Sequence, residues 1–515
     1  MIRQIRTKRP GLPLLSLVVV LLLSATMGAA QAAPAAPAAR STPQFSTAVA
    51  FDVSPALRDL ASGAAPQALQ RQPADEPLEI RPDRGPIVQD QGFSGDGAIQ
   101  DAGALRAPSA IPAPLANFEG LSNEDNLTVY GFRVNPPDPD GDVGPNHYVE
   151  MINLVLAVYD KQGNRLSGPT PIGAVWEGFA VEDCTDPSGD PIVLYDQLED
   201  RWLLSQFTTR GLDDPSLPFY NCVAISVTGD PTGPYYRYAF TSGLFFPDYP
   251  KYGVWTNSYL LTSRDFGPTT EYGISVYALE KNKMLAGNPN ARAVKFFLDS
   301  ATVPIYLMGD GLLPPDMDGE RRPIDRAPAP FVGTQDDDHP YGAPFDALNI
   351  FELWVQWQAN PVASFALVAQ LPVAEFDSIF PCGPTSRDCI PQPGVTDPNR
   401  YLDVLSYRQR PTWRLAYRNF GRYEAMVTNQ SVEARPGIAG VRWYEIRPRR
   451  QAVLSVPAGH LRPGRRRPSL DGQHRDGPAG QHQPGLQRVE WGRRLSRHPL
   501  HRPAQKRPTG PDDPG

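Results

Sequence analysis

Cysteine, methionine and histidine are scarce: the 515 residues hold four, seven and seven of them. So few thiols exclude a small disulfide framework, and no Cys or His spacing matches a zinc knuckle. Long amphipathic helical periods are missing, which excludes coiled coils and helical bundles, and no G-x-S-x-G string marks a nucleophile elbow. What abounds instead is 58 Pro and 44 Gly, the composition of short strands joined by tight turns.

The net charge of −7 averages three unlike regions. Arg3, Arg6, Lys8 and Arg9 precede an apolar run from Leu12 to Ala30, which ends in the small-x-small pattern Ala30-Gln31-Ala32. Residues 1–32 therefore read as a secretory signal peptide, and no other stretch is apolar for long enough to span a bilayer. The expected location is secreted, periplasmic or cell-envelope, with no membrane contact after signal cleavage. The body that follows is strongly acidic, which disfavours nucleic acid as a partner.

Export permits disulfides. Cys184 and Cys222 flank strand-like runs that can return side by side, and Cys382 and Cys389 enclose a short loop of Gly, Pro and Ser. These two pairs are the expected bridges.

Residues 33–115 are rich in Ala, Pro and Gln without helical or strand periodicity, and read as a disordered leader. Over 116–446 strand-like runs recur between turn residues, among them Tyr148–Tyr159, Cys222–Val227, Val254–Thr262, Leu348–Trp357 and Val441–Ile446. The clearest unit is Asp190 to Phe207, two apolar strands around the polar turn Asp196–Asp200. Repeated hairpins of this kind build propeller blades, although a β-sandwich can use the same strands. The expected fold is all-β, a β-propeller of about six or seven blades.

Residues 447–515 hold five of the seven histidines, fourteen Arg and one Lys, and neither Tyr nor Phe. A one-nucleotide slip in a GC-rich gene produces such text. Rewritten one base later with permitted codons, Ser469–His474 gives RWMGS, and continuing yields a hairpin-like string around DRQGN. The tail therefore reads as frameshifted, basic and disordered, which leaves the propeller incomplete at its C-terminal end.

The strings DPDGDVGPNHYVEMIN, DPIVLYDQLEDRWLLSQF, DYPKYGVWTNSYLLTS and WRLAYRNFGRYEAMVTNQSV, with VRWYEIR, resemble a family of uncharacterised secreted bacterial proteins. That family is β-propeller-like and distantly similar to sialidase-type propellers. The resemblance covers roughly residues 115–446. It implies a propeller and carries no established activity.

Three sets of residues are candidates for chemistry. Asp138, Asp140 and Asp142 alternate in PPDPDGDVGP, and hard oxygen ligands at this spacing can converge on calcium where the backbone curls, although the pattern departs from an EF-hand and also suits an Asp-Gly turn. Arg418, Tyr423 and Glu424 lie close in sequence and, with His147, are the candidates for sialidase-like or acid-base catalysis, against ordinary structural pairing. Asp248, Tyr249, Lys251 and Trp255 mark a loop entering a strand, where aromatic and charged groups can form a ligand rim or simply pack. The leading expectation is a binding or scaffold module whose partner is a glycan or an envelope or extracellular protein. The alternative is a carbohydrate-active, sialidase-like glycoside hydrolase using carboxylates in the central cleft. Two acids converging with Arg and Tyr from different blades would favour the hydrolase.

Overall fold

A computed structural model describes residues 41–60, 95–99, 112–134, 136–267, 273–323, 327–378, 388–390, 394–397, 402–403, 409–450 and 486–493. Its strands form five larger sheets and one two-stranded ribbon, Asp388–Ile390 with Leu402–Asp403. Four of the five open with consecutive antiparallel hairpins running outward from an inner strand, the pattern of a propeller blade.

Blade 1 holds Asp140–Val143, His147–Ile152, Val155–Asp160 and Arg165–Pro171. Blade 2 holds Ile192–Asp196, Arg201–Phe207, Phe219–Ser226 and Tyr235–Gly243, and blade 3 holds Phe246–Val254, Ser258–Phe266, Gly273–Glu280 and Arg292–Leu298. Blade 4 is Ala329–Gln335, Ala347–Gln356 and Val362–Pro372, joined through the Leu313–Val332 bridge to the chain that enters the strand Pro315–Asp318. That strand in turn pairs in parallel with Thr412–Asn419, the inner strand of blade 5, which continues outward through Glu424–Arg435 and Ile438–Arg450.

Blade 2 shows why the strands read as continuous apolar runs. Ile192, Leu194, Leu203, Val223, Ile225 and Phe240 point into the large core shared with the blades that follow. Their neighbours Val193, Tyr195, Trp202, Leu204, Cys222 and Ala239 point the other way, into the core shared with blade 1. Alternate side chains of one strand therefore serve opposite faces, and both faces are dry. Each fully buried large side chain contributes about 1.5–3 kcal/mol, so the stacking of sheet on sheet carries most of the stability.

Five blades replace the six or seven expected. Ring size is set by how twisted sheets pack face to face, and strand spacing along a chain does not encode it. The supply of strands also differed. Part of the segment read as a disordered leader is strand: Ala50–Val53 pairs with Tyr235–Gly243 as the outermost strand of blade 2, and Gln44–Thr47 pairs with Arg292–Leu298 as that of blade 3. At the other end, blade 5 extends to Arg450, and Leu486–Arg493 runs parallel beside it, where irregular chain had been expected.

The Cys184–Cys222 disulfide forms, with Cα atoms 5.9 Å apart. It ties the loop ahead of blade 2 to that blade's third strand, and Gln206 Nε2 donates to the Cys184 carbonyl at 2.7 Å beside it. Cys382 lies outside the described residues, as does the Cys389 side chain, so the second expected bridge falls there too.

Candidate functional site

The inner strands all run in one sense along a central channel. Val193 N–H donates to Asp140 Oδ2 at 2.7 Å and Tyr195 N–H to Asp142 Oδ2 at 2.8 Å, a two-residue step that keeps blades 1 and 2 parallel. Arg264, opposite Asp248 in the ladder, lies 3.6 Å from Asp310, while Val254 N–H donates to Asp316 Oδ1 at 2.9 Å further along. Gln409 N–H donates to Asp310 Oδ2 at 3.0 Å, which brings the start of blade 5 to the same end.

One end of the channel, here called the mouth, is therefore ringed by residues near the start of the inner strands: Asp138, Asp190, Asp248 (at the bulge within Phe246–Val254), Asp310 and, in the fifth position, Arg410. The backbone turns left-handed at each of the first four entries, at Asp138 (φ +36°), Asp190 (φ +44°), Tyr249 (φ +51°) and Gly309 (φ +53°). In the first three the next residue is proline, which has no N–H to leave unpaired at a strand start. Asn153 bridges the first two entries, donating to Asp138 Oδ2 at 2.9 Å and accepting from Asp190 N–H at 3.0 Å.

Across the mouth, Asp140 of blade 1 and Asp248 of blade 3 both feel the Lys251 ammonium. Burial pushes the Asp140 carboxyl up to about 7, against the Val193 N–H and Lys251. Burial likewise raises Asp248, against the guanidinium groups of Arg264 and Arg410 and the Lys251 ammonium. The half-buried Tyr249 ring carries the Arg410 guanidinium 3.5 Å and the Lys251 ammonium 4.0 Å from its centroid. Tyr341 closes the wall, donating its hydroxyl to Asp310 Oδ1 at 2.8 Å. Asp248, Asp310, three cations and two tyrosines thus meet from different blades, and Asp140 is linked to them through the charge of Lys251. Such a set can donate a proton and bind hydroxyl or carboxylate oxygens.

Deeper in the channel Asp316 and Asp318 hold Arg414, with Asp142 nearby; burial lifts Asp142 to about 6 and raises Asp316 as well. These groups are cross-braces between blades, since their oxygens are taken by neighbouring backbone N–H groups or by Arg414.

No protein-family model and no curated protein matches the sequence. Among solved structures the chain is distantly similar to glycoside hydrolases. An α-L-arabinofuranosidase from Lactobacillus brevis matches with a TM-score of 0.28 and 10% identity over 60% of this chain and 92% of that one. A glycoside hydrolase family 43 β-1,3-galactosidase matches at 0.28 and 9% over 61% and 91%, and a Cellvibrio cellulosa α-L-arabinanase complexed with arabinohexaose at 0.21 and 10% over 60% and 91%.

The structure separates the residues proposed from sequence. Asp138, Asp140 and Asp142 do not form a ligand set: Asp138 holds Asn153, while the other two bind backbone N–H groups of blade 2. Instead, among the described residues, Asp336, Asp337 and Asp338 bring carboxylate oxygens within 4.8 Å of one another, a group that could hold a cation such as calcium. Asp336 there already accepts from the Ser378 N–H at 2.7 Å and the Asp338 N–H at 2.9 Å.

His147, Arg418, Tyr423 and Glu424 lie at the channel's far end, on or beside the hairpins that leave the inner strands of blades 1 and 5. Tyr423 stacks on Phe420 at 4.8 Å with the Arg447 guanidinium 4.1 Å from its ring, Arg418 is exposed beside Gly319, and Glu424 is buried. They do not join the mouth. Of the expected rim, Asp248, Tyr249 and Lys251 are at the mouth, but Trp255 is 2% exposed, donates Nε1–H to the Ala327 carbonyl and packs edge-on against Tyr417. Asp190, Arg264, Asp310 and Arg410 were missed. For Asp190 and Asp310 the signal available was positional, an aspartate ahead of an inner strand; Arg264 and Arg410 carried no such signal.

Proposed function

We propose that this protein is an exported glycan-cleaving hydrolase whose reaction takes place at the channel mouth, with Asp140 and Asp248 as its acid-base pair. The support for the proposal is that burial raises both carboxyls, from blades 1 and 3, against the opposing charge of the same Lys251 ammonium, and that Lys251 and Arg410 flank the Tyr249 ring next to Asp248. Glycoside cleavage needs one carboxyl that is still protonated near neutrality to donate to the leaving oxygen, and a second group to activate water or attack carbon. Asp140, held at about 7, suits the donor role. Asp248 then takes the second role, in which the guanidinium groups of Arg264 and Arg410 oppose the burial that raises its carboxyl and so favour the ionised form as charge develops on the sugar. Tyr249 and Arg410 supply an amphipathic wall of the kind sugars pack against.

The test is release of reducing ends from a panel of neutral and acidic polysaccharides by the purified chain and by Asp248→Asn. Release from one class by the wild type, reduced at least about 100-fold in the variant with an unchanged Tm, is the expected result. No release from any class, or equal release by both proteins, would remove the proposal in favour of simple binding.

A further inference from the structure

The stretch Gln44–Val53 lies across the outer edges of two sheets as one extended ribbon and is followed by a 3-10 turn over Leu57–Asp59. Gln44–Thr47 pairs residue for residue with Lys295 back to Arg292, and Ala50–Val53 with Ala239 back to Tyr236. Between them Ala48 N–H and Val49 N–H donate to the carbonyls of Ala291 and Ala239, each at 2.9 Å, so the ribbon crosses the gap between blades 3 and 2 without losing its backbone bonds. Outside these strands, both sheets would end in unpaired edges.

Side chains give this ribbon an identity. Asp52 grips Arg237 with two bonds of 2.6 Å, and Arg237 is 3% exposed with its remaining donors on the Val175 and Glu177 carbonyls. Phe51 packs 5.0 Å from the Tyr238 ring, Ser54 Oγ accepts from Tyr235 N–H at 2.9 Å, and Leu57, 1% exposed, enters the core beside blade 1. Backbone pairing supplies affinity, while an arginine socket and a leucine pocket five residues apart along the ribbon supply selectivity.

We infer that the joined outer edges of blades 2 and 3 form a peptide-binding site, occupied by the chain's own Ser41–Leu60, that recognises an extended segment with an aspartate for Arg237, followed by a turn carrying a leucine five positions later. The site takes such a segment in trans once its own ribbon is released. This inference is independent of the proposed hydrolase activity.

The experiment uses the full chain with a protease site placed between residues 60 and 95. After cleavage of the folded protein, a fluorescent peptide spanning residues 41–60 is added, and separately the same peptide carrying Asp52→Ala and Leu57→Ala. Co-elution of the wild-type peptide with the protein, with incorporation at least ~10-fold weaker for the double variant, is expected, because one change strands a buried guanidinium and the other empties a pocket. No incorporation of either peptide, or equal incorporation of both, would overturn the inference.

Discussion

Asp142 of blade 1 accepts the backbone N–H of Tyr195 in blade 2 at 2.8 Å, and two residues earlier Asp140 does the same for Val193 at 2.7 Å. The same device recurs where Asp316 accepts from Val254 of blade 3. The inner strands of blades 1 and 2, and of blades 3 and 4, are thus joined by carboxylates, whereas Pro315–Asp318 and Thr412–Asn419 share a parallel ladder. Asp142→Ala is expected to lower stability by about 1–3 kcal/mol by orphaning a buried donor, and Asp142→Asn by less because the amide oxygen still accepts. Urea unfolding of both variants checks this; equal, negligible losses would show that the seam rests on apolar packing alone.

Stability should be greater on the acid side of neutrality. Burial raises Asp140 to about 7, Asp142 and Asp336 to about 6, and Asp346 to about 8, the last helped by the Asp336 charge, all from 3.8. A carboxyl whose folded value exceeds its unfolded value stabilises the fold below the unfolded value, and loses that contribution as pH rises through the folded one. Asp160, Asp214, Asp230 and Glu280 are lowered by hydrogen bonds or ion pairs and work in the opposite sense, losing their contribution only in acid. The Tm is therefore expected to be higher near pH ~5 than near pH ~8.5, with a shallower slope in Asp346→Asn. A Tm that rises steadily into alkali would contradict these assignments.

The Cys184–Cys222 bridge closes a loop with a sequence separation of 38. Its removal by Cys184→Ser with Cys222→Ser is expected to cost about 2–4 kcal/mol. Thermal melts with and without reductant, on wild type and double variant, read this directly. Melts that coincide would mean that the bridge adds nothing to a loop already held by Gln206.

The apolar strands and their hairpins were legible in the sequence because each is local: Ile192 to Phe207 pairs with itself around one turn; the Cys184 pairing, 38 residues apart, was legible because strand-like runs return between the two cysteines. The blade count was not, since it depends on how one sheet stacks on the next, and the outermost strands of blades 2 and 3 come from Gln44–Val53, set in an Ala-, Pro- and Gln-rich segment without sustained strand period. The mouth was half legible. Asp248, Tyr249 and Lys251 stood out as charge and aromatic at a strand entry, but their partners Arg264, Asp310 and Arg410 come from other places in the chain. Asp138, Asp140 and Asp142 misled because alternate spacing suggests a shared ligand, whereas Asp140 and Asp142, on one strand face, each take a separate N–H of blade 2, and the left-handed turn sends Asp138 to Asn153. Trp255 misled because an aromatic at the end of an inner strand packs on the next blade.

The most direct test of the central claim is the pH dependence of kcat/KM on whichever glycan the protein cleaves. The account predicts a limb that falls as pH rises through about 7, where Asp140 loses its proton, a loss of roughly 10²–10⁴ in rate for Asp140→Asn, and an unshifted limb in Asp142→Asn. Full activity of Asp140→Asn at every pH would contradict it.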